Sequence, residues 1–133
     1  MKKTLYVLII GICLGYNILP FMIHIIRHTR IHRVKTTAYC CCEICCENFS
    51  DGLTSTMRDA RKTVGVAIDP KVFSYGDKFF IRGIGIRIAD DTGGAMRQST
   101  KKGVKHIDIR MASHKLAREY GVKEKYVIVF KKG

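Results

Sequence analysis

The chain has 133 residues, 47% of them hydrophobic, and carries 24 Lys and Arg against 11 Asp and Glu for a formal net charge of +13. That length fits one domain with a small core, and the basic balance suits an anionic partner such as a cell-wall polymer, a lipid headgroup or a nucleic acid. Nucleic acid is set aside, because aromatic residues make up only 9%, Trp is absent and no helix-turn-helix or RNA-platform motif occurs.

Leu5 to Ile26 is nearly uncharged and long enough to cross a bilayer as a helix. Lys2 and Lys3 precede it, and Arg27, Arg30, Arg33 and Lys35 follow it. The run lacks a small-x-small cleavage site and exceeds a usual signal-peptide core, so residues 1–33 read as an uncleaved signal anchor with a basic flank. Cys13 does not read as a lipoprotein acylation site, since the residue before it is the bulky Ile12. Charge counting taken alone would keep the following domain in the cytoplasm, because the basic residues after the span outnumber those before it.

Residues 34–133 read as an all-β domain. Val34 to Tyr39, Thr63 to Ile68, Lys78 to Ile81, Ile86 to Ala89, Lys105 to Arg110 and Tyr126 to Phe130 are short runs rich in β-branched and aromatic residues. Asp69-Pro70, Tyr75-Gly76, Gly83, Gly85 and Gly93-Gly94 supply the turns between them. One short helix is expected near the end: Ser113 caps it, Leu116, Ala117 and Tyr120 share a face, and Gly121 ends it. Six short strands in so small a domain favour closure into a barrel, which removes exposed edges.

Cys40, Cys41, Cys42, Cys45 and Cys46 crowd into seven positions. Cys42-x-x-Cys45 has the spacing of half a zinc site, but a second distant pair is missing, so a complete site would draw all its ligands from one loop or borrow His106 or His114. Outside the membrane, one or two disulfides among Cys40, Cys42, Cys45 and Cys46 are the expectation, with metal binding and free thiols as the alternatives. Three further stretches, around Asp69, Asp90-Asp91 and Asp108, set carboxylates at the edges of strand-like runs, where a sheet holds them and a substrate can reach them. Any one of them taken singly also suits a plain turn cap.

These residues carry a resemblance. Thr37-Ala38-Tyr39-Cys40-Cys41-Cys42-Glu43-Ile44-Cys45-Cys46, Asp51-Gly52-Leu53-Thr54, Val66-Ala67-Ile68-Asp69-Pro70, Tyr75-Gly76, Asp91-Thr92-Gly93-Gly94-Ala95-Met96 and Ile107-Asp108 together resemble the 3D domain, named for three aspartates, over nearly everything after residue 34. The family is similar to the C-terminal part of membrane-bound lytic transglycosylase A and to rare-lipoprotein and expansin-like barrels. The resemblance implies a six-stranded double-psi β-barrel acting on peptidoglycan glycan strands, a monomer tethered to the membrane by its N-terminal helix, with its domain outside the cytoplasm. It places the three aspartates on Asp69, Asp91 and Asp108, and Thr92, Gly93 and Gly94 at the substrate. Asp108 then matches the acid of a lytic transglycosylase and Asp91 is its neighbour across the site; Asp69, the third catalytic candidate, serves either as the base for a water, should cleavage be hydrolytic, or as a structural acceptor, and neither a cofactor nor a catalytic metal is called for. Two departures stand out: Met96 to Lys105 forms a longer and more basic bridge than the family uses, and Cys41 replaces a proline. Glycan binding without cleavage is the alternative, since a fold alone does not establish chemistry.

Overall fold

The computed structural model describes residues 18–47 and 50–132. Its elements in chain order are α1 (Ile18–His28), β1 (Thr29–Tyr39), α2 (Glu43–Cys46), β2 (Gly65–Ile68), β3 (Lys78–Ile81), β4 (Gly85–Thr92), α3 (Gly94–Lys101), β5 (His106–Arg110), α4 (His114–Tyr120) and β6 (Lys123–Phe130). The six strands close into a barrel in the order β1-β5-β2-β4-β3-β6, with β6 returning to β1. The pairs β1/β5 and β2/β4 are parallel and the other four antiparallel. Alternation sets the inside: Phe79 and Ile81 of β3, Val127 and Val129 of β6, Ile107 and Ile109 of β5, and Val66 and Ile68 of β2 fill one core with Val34, Phe73 and Ala89. Phe73 packs edge-on against Phe79 with centroids 5.0 Å apart.

Several elements differ from expectation. β1 begins at Thr29 rather than Val34, because the chain before Val34 pairs residue by residue with β6 from Thr29↔Phe130 onward. Beyond α1, which overlaps the expected anchor, the described residues hold three helices where one was expected. The basic bridge after Gly93-Gly94 is largely α3, a helix that packs on β5 and β2 with Met96 buried beneath it. Ala95, Met96, Arg97 and Gln98 are good helix formers, which the turn-like pair of glycines obscures. α4 has its expected Ser113 cap, whose hydroxyl accepts the Leu116 N–H at 3.3 Å, and ends at Gly121 with a positive φ of 67°. Ala117 and Tyr120 face inward, but Leu116 is 47% exposed.

Of the expected anchor, residues 5–17 lie outside the described part. The remainder is α1, which buries no side chain, and among the described residues no helix is long and apolar enough to cross a membrane.

Candidate active site: a carboxylate row on the outer face of the barrel

Strand register assembles the site. Ala67 pairs with Asp91 on one side and Asp108 on the other, and Thr37 pairs with Asp108 in turn, so Thr37, Asp108, Ala67 and Asp91 form one row across β1, β5, β2 and β4. Residues directly opposite on neighbouring strands share a face. Because Val66, Ile68, Ile107 and Ile109 occupy the interior, this row faces outward. Asp91 and Asp108 are two strand spacings apart, roughly 9–10 Å between Cα atoms. Only the methyl of Ala67 stands between them.

A bulge places Asp91 in that row. Val66 pairs with Ala89 but Ala67 with Asp91, so Asp90 is an extra residue in β4. Without it, β4 would present Asp91 on the opposite face. The Asp90 side chain, 1% exposed, receives Arg110 at 3.0 Å on Oδ1 and 2.7 Å on Oδ2, with Arg58 at 3.6 Å. Arg110 also donates to the Tyr39 hydroxyl at 3.1 Å. Gly65 leaves the space for this ion pair: a Cβ there would overlap the Asp90 carboxylate and the Arg110 guanidinium.

The two aspartates of the row are bonded very differently. Asp91 accepts the Tyr39 hydroxyl at 2.7 Å on Oδ2, and on Oδ1 the Ser55 hydroxyl at 2.7 Å, the Ser55 N–H at 3.0 Å and the Thr92 N–H at 2.9 Å. Asp108 receives one hydrogen bond, from Thr37 at 2.7 Å on Oδ1, and its Oδ2 accepts none from the described residues. Burial pushes the Asp108 carboxyl above the usual carboxylate range; Thr37 pulls it down, and the negative field of Asp91 pushes it further up. Desolvation thus outranks the like charge. Thr37 continues through a 2.8 Å hydrogen bond to His106 Nε2, and His106 Nδ1 meets the Ser99 hydroxyl of α3 at 2.9 Å. Burial lowers the His106 pKa, with Lys35 adding to the shift, which favours the neutral imidazole.

Asp69 lies apart from that row, one step beyond the end of β2. Its Oδ1 accepts the Lys71 N–H at 2.9 Å and its carbonyl accepts the N–H groups of Val72 and Phe73. The Lys71 N–H holds its carboxyl below the usual range against the opposing effect of burial, with the Thr100 hydroxyl of α3 assisting. Thr92 accepts from Arg97 at 3.2 Å, and Gly93, extended at φ −159°, and Gly94 lead into α3 rather than forming a left-handed turn. A cavity of about 350 Å³ lies elsewhere, bounded by Cys40 to Cys42, Ala60 to Val64 and Arg110 to His114, and none of the three aspartates lines it.

Cys40, Cys42 and Cys45 draw together with His114, whereas Cys46 turns away to the Cys40 carbonyl at 3.2 Å. Residue reading alone did not find Ser55, Thr37, Tyr39, His106 and Arg110 as partners of the carboxylates. A hydroxyl or imidazole carries no signal of its own until register sets it beside an acid.

A small closed β-barrel with one fully bonded and one singly bonded carboxylate on one outer face is the class defined by this geometry. The 3D domain profile matches residues 64–131, and the chain belongs to that family. A search of curated proteins returned no match.

Proposed function

We propose that this protein cleaves the glycosidic bonds of peptidoglycan in the manner of a lytic transglycosylase, with Asp108 as general acid and then general base. The observation that carries the reading is the contrast between the row's two carboxylates. Asp91 is saturated by four donors, while Asp108 is desolvated, raised in pKa and, among the described residues, without a donor at Oδ2. An acid that must be protonated near neutral pH needs that environment.

In this reading a protonated Asp108 donates to the glycosidic oxygen between N-acetylmuramic acid and N-acetylglucosamine as an oxocarbenium-like state forms. The resulting carboxylate then takes the proton of the muramic 6-hydroxyl as that oxygen closes on the anomeric carbon. The product is an internal anhydro ring, and no water is consumed. Burial keeps the Asp108 proton bound, and Asp91, oriented by Tyr39 and Ser55, adds a smaller push in the same direction. Thr92, Gly93 and Gly94 line the substrate's path, and Asp69 serves as a structural acceptor that holds the turn after β2. Family membership and the mixed parallel and antiparallel barrel order support a double-psi architecture. A substrate of this kind lies outside the cytoplasm, so the domain is proposed to act there as a monomer, held by residues 5–26.

Glycan binding without cleavage is the second reading, favoured by a cavity that lies away from the three aspartates. Mass spectrometry of purified peptidoglycan after incubation with the full chain separates the two. Anhydro-ended fragments support the lytic reaction, reducing-ended fragments would replace it with hydrolysis, and an uncut polymer retained by the protein would favour binding.

A further inference from the structure

We infer that Cys40, Cys42, Cys45 and His114 form a structural zinc site that ties the loop after β1 to the first turn of α4. Three thiols and one imidazole converge from two separate parts of the chain, all within 4.8 Å of one another. Cys40 Sγ lies 3.6 Å from Cys45 Sγ, and His114 Nδ1 lies 3.3 Å from Cys45 Sγ and 3.7 Å from Cys42 Sγ. A tetrahedral zinc with sulfur at ~2.3 Å and nitrogen at ~2.0–2.1 Å spaces its ligands roughly 3.5–3.8 Å apart. Three of the four observed separations fall in or near that range. The fourth, Cys40 to Cys42, is 2.8 Å, well beyond a sulfur–sulfur bond.

The local chain is arranged to hold the ligands. Cys42 and Cys45 flank the start of α2, whose first turn, with the Cys45 and Cys46 N–H groups on the Cys42 carbonyl, holds both side chains on one side. Ser113 caps α4 and so fixes the direction of His114, the helix's first residue. A disulfide among these cysteines would leave the convergence of His114 unexplained. Cys41 faces the cavity and Cys46 bonds a carbonyl, which accounts for five cysteines yielding three ligands.

Three thiolates and a neutral imidazole match zinc in softness and number and leave no open position, so the ion would hold structure rather than perform catalysis. Each coordinated thiol gives up its proton on binding, so affinity falls in acid. The site sits one residue beyond Tyr39, whose hydroxyl holds Asp91, so the ion would steady that end of β1. The inference stands independently of the glycan reading.

The test uses the full chain, purified in detergent under reducing conditions and dialysed against buffer containing trace zinc. One zinc per chain by mass spectrometry is expected, with three of the six thiols shielded from alkylation until a chelator is added. Cobalt(II) in place of zinc should give thiolate charge-transfer bands and the intense visible bands of a tetrahedral site. His114→Ala and Cys45→Ser should each weaken zinc binding by more than about tenfold, whereas Cys46→Ser should leave it unchanged. Should those variants fail to fold, the cobalt spectrum and thiol protection of the parent protein decide the matter. No stoichiometric zinc, thiols that appear only after reduction, or equal losses in Cys46→Ser and Cys45→Ser would overturn the assignment.

Discussion

At the scale of single residues, the difference between Asp108 and Asp91 has two measurable consequences. Asp108→Asn keeps shape and hydrogen-bonding reach but removes the transferable proton, so glycan cleavage should fall by about 10² to 10⁴-fold in product-release assays. The same change should raise stability at neutral pH. The folded-state pKa of Asp108 lies above its unfolded value, so the protonated form is favoured by folding, and the stability tied to it is present at low pH and lost as pH rises through the raised pKa. Asparagine never ionises, so the variant should melt higher than the parent at pH 7 by roughly 0.5–2 kcal/mol equivalent, with the difference vanishing below the ordinary aspartate range. Asp91→Asn removes the like charge, and the limb of the rate profile governed by Asp108 should move to lower pH. That displacement should be modest, because burial is the larger cause of the shift. A parent-like rate in folded Asp108→Asn would move glycan binding ahead of catalysis.

At the scale of elements, the bulge in β4 links the core to the site. The Asp90–Arg110 pair is buried on both sides, and opening one partner leaves the other uncompensated. Arg110→Leu should therefore destabilise the barrel by about 3–5 kcal/mol, and Gly65→Ala, which intrudes on the same pair, by about 1–3 kcal/mol. Urea denaturation would check both, and parent-like midpoints would show that the pair is dispensable. Here the limits of sequence reading are physical. The strand cores were legible because Val66, Ile68, Ile107, Ile109, Val127 and Val129 obey a period of two. Asp90 was visible only as an extra acid beside Asp91, since a bulge is set by pairing and leaves no composition signature. Helix α3 was masked by Gly93-Gly94, and β1 before Val34 by charged residues that face solvent. The aspartates could be named from the sequence, yet the row that makes Asp108 and Asp91 neighbours across Ala67 exists only in the register. Asp77 is a similar case: it is fully buried, accepts the N–H groups of Ser74 and Lys132, and joins the turn before β3 to the C-terminal end of the chain.

For the whole molecule, the barrel closes without α1. β1 begins at Thr29, every strand partner lies between Thr29 and Phe130, and α1 contributes no buried side chain although Leu19, Phe21 and Ile26 are each more than 60% exposed. So much exposed apolar surface on one short helix is unfavourable in water and natural where lipid covers it. Folding and tethering should then separate cleanly. Deleting residues 1–27 should leave the melting temperature within about 4 °C of the parent, since a change below ~0.5 kcal/mol moves a domain of this size by no more than that, and should release the protein from the membrane fraction to the soluble one. A fall of many degrees would mean that the N-terminal segment completes the core. Full-length fusions to a reporter active only outside the cytoplasm and to one active only inside it address orientation. Activity of the outside reporter alone is expected, because the proposed glycan substrate lies there, despite the basic flank of Arg27, Arg30, Arg33 and Lys35. Activity of the inside reporter alone would remove the barrel from its polymer and end the peptidoglycan reading.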